Sequence, residues 1–186
     1  FCVVALAHLI GLMSYPLLGT TEGRYAVMAK TMVESGNWLI AMFTPDEPFF
    51  GKPPLSVWSS AVAIQIFGAN EFAVRFPSWL FSIGISALLF ALLREHKLLG
   101  LIGALIMSSS LLGYASFGKV HTDTTLSLCI ALIMVGFFRG LVDRDFRWYC
   151  SGCLGIPLAL LAKGPVMIIY AAAPIFIWFC FNPWLW

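Results

Sequence analysis

The sequence predicts an all-α fold, a polytopic bundle of membrane helices with about six spans. Hydrophobic residues make up 60% of the 186 residues and charged residues only 11%, whereas a soluble domain carries roughly 25% charged residues. A soluble chain of this composition could not cover its surface with polar groups, so lipid must surround much of it. Apolar stretches also recur along the chain, each close to the roughly 20 residues that one helical crossing needs.

Six apolar stretches are the predicted spans: residues 1–18, 72–93, 98–117, 124–138, 148–162 and 165–181. The last two could form one helix, but it would be roughly 50 Å long at 1.5 Å per residue, which is too long for one crossing. We therefore predict a break at Lys163-Gly164-Pro165, where a charge, a flexible residue and a residue without a backbone N–H coincide. Both chain ends lie inside apolar runs, so we expect the chain to be part of a longer polypeptide.

The long polar segment between the first two spans, about residues 19–71, is predicted to be the first external loop. Its first helix, residues 21–35, has Thr21 as its candidate cap, Glu22 in its first turn and Gly36 as its stop. Spacings of three and four form an apolar stripe on this helix from Tyr25, Met28, Met32 and Val33.

A second loop helix, residues 54–67, is predicted to start at Pro53-Pro54, because proline suits the first turn of a helix. Its apolar stripe is formed by Trp58, Val62 and Ile66. Residues 44–48 between the two helices have a turn-like composition. Both loop helices are too short and too polar to cross the bilayer, so we predict that they lie in its interface with their apolar faces toward the lipid.

Basic residues predict the orientation. The two short connections on one side hold five of them: Arg94, Lys97, Arg139, Arg144 and Arg147. This enrichment is typical of cytoplasmic loops. We therefore predict a multi-pass protein of the bacterial inner (cytoplasmic) membrane, with Lys52, Lys119 and Lys163 facing the outside.

With that topology, ionisable residues gather on one external surface: Glu22, Arg24, Lys52, Arg75, Lys119, His121, Asp123 and Lys163. Asp123 and Lys163 interrupt apolar sequence, where a charge is costly unless it meets a partner or a wet cavity. They are therefore candidate functional residues. The alternative for any single Lys or Arg is that it reaches to the lipid headgroups.

Two other classes of site are not predicted. The net charge of +2 and the lack of a basic stripe argue against a nucleic-acid partner. Cys150 and Cys153 form a lone C-x-x-C with no further ligands nearby, so we interpret them as small apolar residues one helical turn apart rather than as a metal site.

Carboxylates beside several cations at a membrane surface suit the transfer of a sugar from a lipid phosphate. The cations would neutralise charge that grows on the leaving phosphate, and a carboxylate would accept the proton of the acceptor hydroxyl. A transporter or flippase of a lipid-linked anion could use the same cations. Such proteins often show broken helices in matching positions, and this sequence shows one break, which disfavours that alternative.

Ordered motifs of this chain resemble the GT-C glycosyltransferases. They are Thr21-Glu22-Gly23-Arg24-Tyr25-Ala26, Glu34-Ser35-Gly36-Asn37-Trp38, Phe49-Phe50-Gly51-Lys52-Pro53-Pro54-Leu55 and Phe67 through Ser78. Asp123 and Ala162-Lys163-Gly164-Pro165 continue the resemblance in order. More narrowly, the chain resembles the bacterial branch related to protein mannosyltransferases and to the aminoarabinose transferases that modify lipid A.

The resemblance implies an inverting integral-membrane enzyme that takes a sugar from a polyprenyl-phosphate donor on the non-cytoplasmic face. The acceptor would be a lipid, a glycan or a protein, and no cofactor beyond the donor substrate is implied. Family members have roughly twice as many spans, and many carry a soluble C-terminal domain. Residues 1–186 would then be the N-terminal part of the membrane domain, without those further parts.

Glu22 matches the second member of the family's Asp-Glu pair and Asp123 matches the acidic residue that opens the fourth span, so both are candidate catalytic residues. The candidate substrate-binding residues that match family positions are Arg24, Tyr25, Lys52, Arg75 and Lys163. Lys119 and His121 join them from the external surface. His121 lies between Lys119 and Asp123 and could shuttle a proton; the alternative is a bystander histidine in the loop.

Two positions depart from the family pattern. Thr21 stands where the catalytic Asp often occurs, and a hydroxyl is not a base near neutral pH, so Glu22 or Asp123 would take that role. This departure also leaves open a third possibility, a non-catalytic subunit of a membrane assembly. Gly51 stands where the aminoarabinose enzymes carry Glu, which argues against an aminoarabinose donor.

Overall fold

The computed structural model describes residues 2–14, 16–17, 19–44, 47–110, 113 and 119–181. This part of the chain forms eight α-helices: α1 (Cys2–Gly11), α2 (Thr20–Ser35), α3 (Leu55–Phe67), α4 (Glu71–Leu92), α5 (Lys97–Ser109), α6 (Thr122–Asp143), α7 (Phe146–Lys163) and α8 (Val166–Phe181). The predicted all-α class is confirmed. A 3₁₀ turn, Arg94–His96, joins α4 to α5.

A two-stranded antiparallel ribbon lies in the loop between α2 and α3, and the sequence did not predict it. Strand β1 (Met42–Thr44) pairs with β2 (Glu47–Pro48). Two residues of the predicted turn, Pro45 and Asp46, lie outside the described residues. The ribbon is short, so the loop is still dominated by its two helices.

Among the described residues, α4 and α6 are long and apolar enough to cross a membrane. Each has 22 residues, or about 33 Å at 1.5 Å per residue, which matches the hydrocarbon thickness of a bilayer. The other four predicted spans coincide with α1, α5, α7 and α8, but α1 has 10 residues and is shorter than predicted. The end of the predicted third span, residues 114–117, lies outside the described residues. The count of six spans stays a prediction.

The predicted break between the last two spans is confirmed. Helix α7 ends at Lys163, and the N–H of Gly164 closes its last turn on the carbonyl of Leu160 at 2.8 Å. Gly164 has φ +72°, a backbone conformation that glycine adopts without the clash that a Cβ causes. Pro165 follows, and α8 begins at Val166.

Helix α2 forms where it was predicted, but the assignment of Thr21 as its cap is wrong. The helix begins at Thr20, and the N-cap is Gly19 in an extended conformation without a side-chain cap hydrogen bond. Thr21 therefore lies inside the first helical turn, where its backbone is already helical. The predicted stop is confirmed, because Gly36 has φ +69° and its N–H bonds to the carbonyl of Met32 at 3.1 Å.

The apolar stripe of α2 packs against protein. The buried members of this stripe form one core with buried residues of α2, α3 and α4 and of the segments just before β1 and α6: Tyr25, Met28, Ala29, Met32, Ala41, Val57, Ala61, Ile64, Ala73, Val74 and Val120. The expectation that this face of α2 points into lipid is therefore wrong, because α3 and α4 cover it. In α3, Val62 and Ile66 of the predicted stripe are exposed and remain available to lipid.

Small residues hold α6 and α7 together as a helical hairpin. A Cβ on Gly136 would lie 2.5 Å from the backbone nitrogen of Gly152, and a Cβ on Gly155 would lie 3.0 Å from the carbonyl oxygen of Cys129. Only glycine permits such close backbone contact. Because the two helices run in opposite directions, the start of α6 and the end of α7 lie at the same end of the hairpin.

A cluster of charges joins the C-terminal ends of α4 and α6. Arg139 is fully buried and donates to both carboxylate oxygens of Glu95, at 2.7 and 2.6 Å. It also donates to the carbonyls of Ala91 at 3.0 Å and Leu92 at 2.7 Å. These carbonyls belong to the last turn of α4, which leaves such groups without helical partners. Arg139, which the sequence placed in a short connection, therefore lies inside α6 and caps α4.

Acid should weaken this cluster. The hydrogen bond from Arg139 is the main cause that lowers the pKa of Glu95 from 4.5 to about 2. Because the folded-state pKa lies below the unfolded value, ionised Glu95 stabilises the fold above about pH 4.5, and this contribution is lost as the pH falls from there toward 2. Over that window, we expect the thermal unfolding midpoint in detergent to fall more for the wild type than for Glu95→Gln.

Glu34→Gln is the control for this pH experiment, since Glu34 is exposed and contacts only Lys30 among the described ion pairs, at 3.6 Å. That variant should follow the wild-type pH curve. An identical acid-induced fall in the Glu95→Gln protein would show that the Arg139 contact does not contribute to stability.

Candidate functional site

The α6–α7 hairpin brings two candidate residues together. Asp123 lies in the first turn of α6 and Lys163 is the last residue of α7, and the Lys163 ammonium donates a hydrogen bond to Oδ1 of Asp123. The Asp123 side chain is 64% exposed. The carboxylate is therefore both held in place and open to a ligand.

Lys52 approaches the same helix start from the loop before α3. Its Nζ donates to Oγ1 of Thr122 at 3.3 Å and lies 5.5 Å from the ring centroid of Tyr25. The next residue, Pro53, packs at the α7–α8 break, because a Cβ on Gly164 would lie 3.9 Å from its Cγ. Lys52 directly precedes Pro53 and Lys163 directly precedes Gly164, so this contact between the loop and the helix break brings the two lysines to the same region.

An open cavity of about 450 Å³ lies between these segments. Lys52 and Lys163 both line it, together with apolar and proline residues such as Leu39, Phe50 and Pro54. Leu39 and Phe50 are largely exposed. A cavity with cationic groups and an apolar wall suits a ligand that has an anionic head and a hydrocarbon part.

Glu22 and Arg75 form a separate, buried ion pair. Glu22 Oε2 lies 3.4 Å from Nη2 of Arg75, and the two residues are only 5% and 0% exposed. Glu22 Oε1 accepts the N–H of Val120 at 3.1 Å. Arg75 donates to the carbonyls of Leu12 at 3.3 Å and Pro16 at 2.9 Å. The pair therefore connects the end of α1, the starts of α2 and α4, and the segment that leads into α6.

The remaining predicted residues lie around these two groups. Arg24 is exposed, with its guanidinium 5.8 Å from the ring centroid of Phe43, and Tyr25 is buried beneath Lys52. Lys119 is exposed, and His121 is the N-cap residue of α6 without a side-chain cap hydrogen bond. The structure thus groups Tyr25 and Lys52 with the Asp123–Lys163 pair, and places Arg24 toward β1.

Two contributions to the site were missed from the sequence: the hydroxyl of Thr122 and the backbone N–H of Val120. Each is bonded to a residue far along the chain, 70 and 98 positions away. The nearness of Thr122 to Asp123 in sequence was the one signal that could have singled it out. Among the described residues, no group of three or more His, Cys, Asp or Glu side chains has the geometry to hold a metal ion.

Comparison with known proteins agrees with the resemblance seen in the sequence. Residues 51–186 match the family described as dolichyl-phosphate-mannose-protein mannosyltransferase. The chain is 32% identical over 178 residues to the undecaprenyl phosphate-alpha-4-amino-4-deoxy-L-arabinose arabinosyl transferase of Aeromonas salmonicida, covering 88% of this chain and 32% of that protein. The protein of the same name from Wigglesworthia glossinidia brevipalpis is 28% identical over 182 residues, which cover 94% of this chain and 32% of the relative.

Solved structures show the same fold. ArnT from Cupriavidus metallidurans in the apo state superposes with a TM-score of 0.84 at 22% identity, covering 98% of this chain and 35% of that protein. The structure of ArnT bound to undecaprenyl phosphate superposes with a TM-score of 0.83 at 24% identity, with the same coverage. The chain therefore spans about a third of the length of these relatives.

The helical membrane fold and the matched sequences agree with the class that the sequence motifs indicated, the GT-C glycosyltransferases. The chain belongs to the dolichyl-phosphate-mannose-protein mannosyltransferase family. The matched relatives are transferases, so they support the prediction of a glycosyltransferase and not the transporter alternative. That Gly51 disfavours an aminoarabinose donor stays a prediction.

Proposed function

We propose that this chain forms the donor-binding part of an inverting glycosyltransferase that takes a sugar from a polyprenyl phosphate. The observation that carries the proposal is that Lys163 lines the cavity and also donates a hydrogen bond to the Asp123 carboxylate. One residue thus links a site that suits a phosphate to a carboxylate that suits a proton acceptor. The relatives are named for undecaprenyl phosphate-linked aminoarabinose, and a polyprenyl-phosphate sugar is the donor class proposed for this chain.

The donor phosphate would lie in the cavity against Lys52 and Lys163, with its lipid chain along the apolar wall. An acceptor hydroxyl oxygen then attacks the anomeric carbon from the face opposite the phosphate, which inverts the configuration. The bond from that carbon to the phosphate oxygen breaks, and its electron pair stays on the phosphate. The two ammonium groups stabilise this growing charge, and the acceptor proton passes to Asp123.

Asp123 fits the role of base better than Glu22 does. Glu22 is buried, and both of its oxygens are already engaged by Arg75 and by the N–H of Val120. Asp123 is largely exposed and needs no rearrangement of the core to meet a hydroxyl. We therefore assign Glu22 and Arg75 to the positioning of the helix ends and keep Asp123 as the catalytic carboxylate.

The acceptor would approach from the exposed side of Asp123. Lys119 and His121 lie on the segment that leads to Asp123, and Arg24 lies beside Phe43 of β1. We propose that all three contact donor or acceptor. The acceptor class is a lipid, a glycan or a protein, on the outer side of a bacterial inner membrane.

Alanine substitution of the cavity lysines tests the proposal. In the protein encoded by the full open reading frame, Lys163→Ala and Lys52→Ala should each weaken binding of undecaprenyl phosphate roughly 10- to 100-fold, since a hydrogen bond to a charged group contributes about 1.5–3 kcal/mol. Binding can be measured by native mass spectrometry in detergent, and sugar transfer in proteoliposomes.

Lys97→Ala is the matched control, because Lys97 is an exposed lysine at the start of α5, beside the 3₁₀ turn at the far end of α4. It should leave lipid binding unchanged. Wild-type affinity in both cavity variants would show that the cavity does not bind the donor phosphate.

A further inference from the structure

Thr122 is a hydrogen-bond partner of Lys52 that belongs to none of the sequence motifs described above. Its side chain is buried, 1% exposed, and its hydroxyl oxygen accepts a hydrogen bond from the Lys52 ammonium at 3.3 Å. Thr122 directly precedes Asp123 in the first turn of α6. The same helical turn therefore holds one cavity lysine through Thr122 and the other through Asp123.

A lysine ammonium on its four-carbon stem has no fixed direction unless its surroundings supply one. Lys52 has two such neighbours, the Thr122 hydroxyl and the face of the Tyr25 ring, 5.5 Å from the ammonium. Three N–H donors are available on the ammonium. With one donated to Thr122, the others are left for an anion in the cavity that Lys52 lines.

We propose that Thr122 is a positioning residue, which holds the Lys52 ammonium in the direction that meets the donor phosphate. This inference rests on the proposed function, because it assumes that the cavity binds a polyprenyl phosphate. It adds that the first turn of α6 sets the positions of both cavity lysines and of the catalytic carboxylate. A shift of this turn would then change donor binding and proton transfer together.

Two substitutions at position 122 test the inference in the full-length protein. Thr122→Val keeps the shape and removes the acceptor, so the Kd for undecaprenyl phosphate and the KM for the sugar donor should rise roughly tenfold. The kcat at saturating donor should change much less. Thr122→Ser restores a hydroxyl and should recover most of the affinity.

Thr124→Val is the matched control, because Thr124 is also a buried threonine in the first turns of α6 but projects from a different side of the helix. It should leave Kd and KM near wild type. The thermal unfolding midpoint of each variant separates a loss of binding from a loss of fold.

A double-mutant cycle with Lys52→Ala decides between a positioning role and a general structural one. If Thr122 acts through Lys52, Thr122→Val should have no further effect on Kd once Lys52 is alanine. An equal additional loss in the Lys52→Ala background, or unchanged affinity of the single Thr122→Val variant, would overturn the inference while leaving the proposed function intact. Unchanged affinity of Lys52→Ala and Lys163→Ala would overturn the proposed function itself.

Discussion

Replacing Asp123 with Asn should lower the rate of sugar transfer about 100- to 10,000-fold, the range by which a positioned acid–base group accelerates a reaction. Asn keeps the shape of the side chain, but its amide cannot take the proton of the acceptor hydroxyl. Binding of undecaprenyl phosphate should be preserved or become tighter, because Lys163 no longer shares its charge with a carboxylate. Single-turnover transfer and lipid binding, measured on the same preparation, separate the two effects.

Asp145→Asn is the control for the Asp123 experiment. Asp145 is the N-cap of α7, and its side chain accepts the N–H of Arg147 at 2.9 Å. Because Asn caps a helix about as well as Asp, this variant should keep both fold and activity. Near-normal turnover of the Asp123→Asn enzyme would remove Asp123 from catalysis and move the role of base to Glu22.

The position of Lys163 implies that donor binding and base function are coupled. In the structure, the Lys163 ammonium donates a hydrogen bond to the Asp123 carboxylate. In the proposed complex, the same ammonium also faces the donor phosphate. When a phosphate binds this ammonium, the ion pair between Lys163 and Asp123 is weakened, and Asp123 becomes more able to accept a proton. The carboxylate would then be most effective when the donor is present, which limits proton uptake without a sugar to transfer.

The features that the sequence predicted well depend on local signals. Gly36 and Gly164 mark helix ends because their positive φ angles suit glycine and disfavour other residues. The spans formed by α4 and α6 could be predicted because each contains a long apolar run in the sequence. In contrast, the predicted fourth span stopped at residue 138, while α6 continues to Asp143. The charge of Arg139 is satisfied by Glu95 and by two carbonyls at the end of α4, and no local pattern shows these partners.

The site could be predicted as a set of residues, but not as pairs. The sequence placed Glu22, Arg75, Asp123 and Lys163 on one surface, and the family resemblance gave them roles. It did not show that Glu22 pairs with Arg75 and Asp123 with Lys163. The members of these two pairs are 53 and 40 residues apart in sequence, so the packing of helices sets the pairing, and charge alone allows several pairings. The burial that separates a structural carboxylate from an accessible one is likewise a tertiary property.

Removing either member of the buried Glu22–Arg75 pair should destabilise the protein by about 3–5 kcal/mol, because the other charge stays buried and loses this ion pair. Glu22→Ala removes the carboxylate that lies 3.4 Å from Nη2 of Arg75 and also frees the N–H of Val120. Arg75→Ala frees the carbonyls of Leu12 and Pro16. Denaturant titration in detergent micelles gives the unfolding free energies of both single variants and of the double variant.

The double variant should lose less stability than the sum of the single losses, with a coupling energy of about 1–3 kcal/mol, as expected for residues in one ion-pair network. The exposed pair Lys30–Glu34 on the same helix, at 3.6 Å, is the control, and its coupling should be below about 1 kcal/mol. Additive losses at Glu22 and Arg75 would show that the pair does not stabilise the fold. Glu22→Gln keeps the shape and an acceptor for the Val120 N–H, so it should retain transfer at temperatures well below its unfolding midpoint. A Glu22→Gln protein that is folded and binds donor but has lost transfer would instead make Glu22 the base, because only its charge would then be missing.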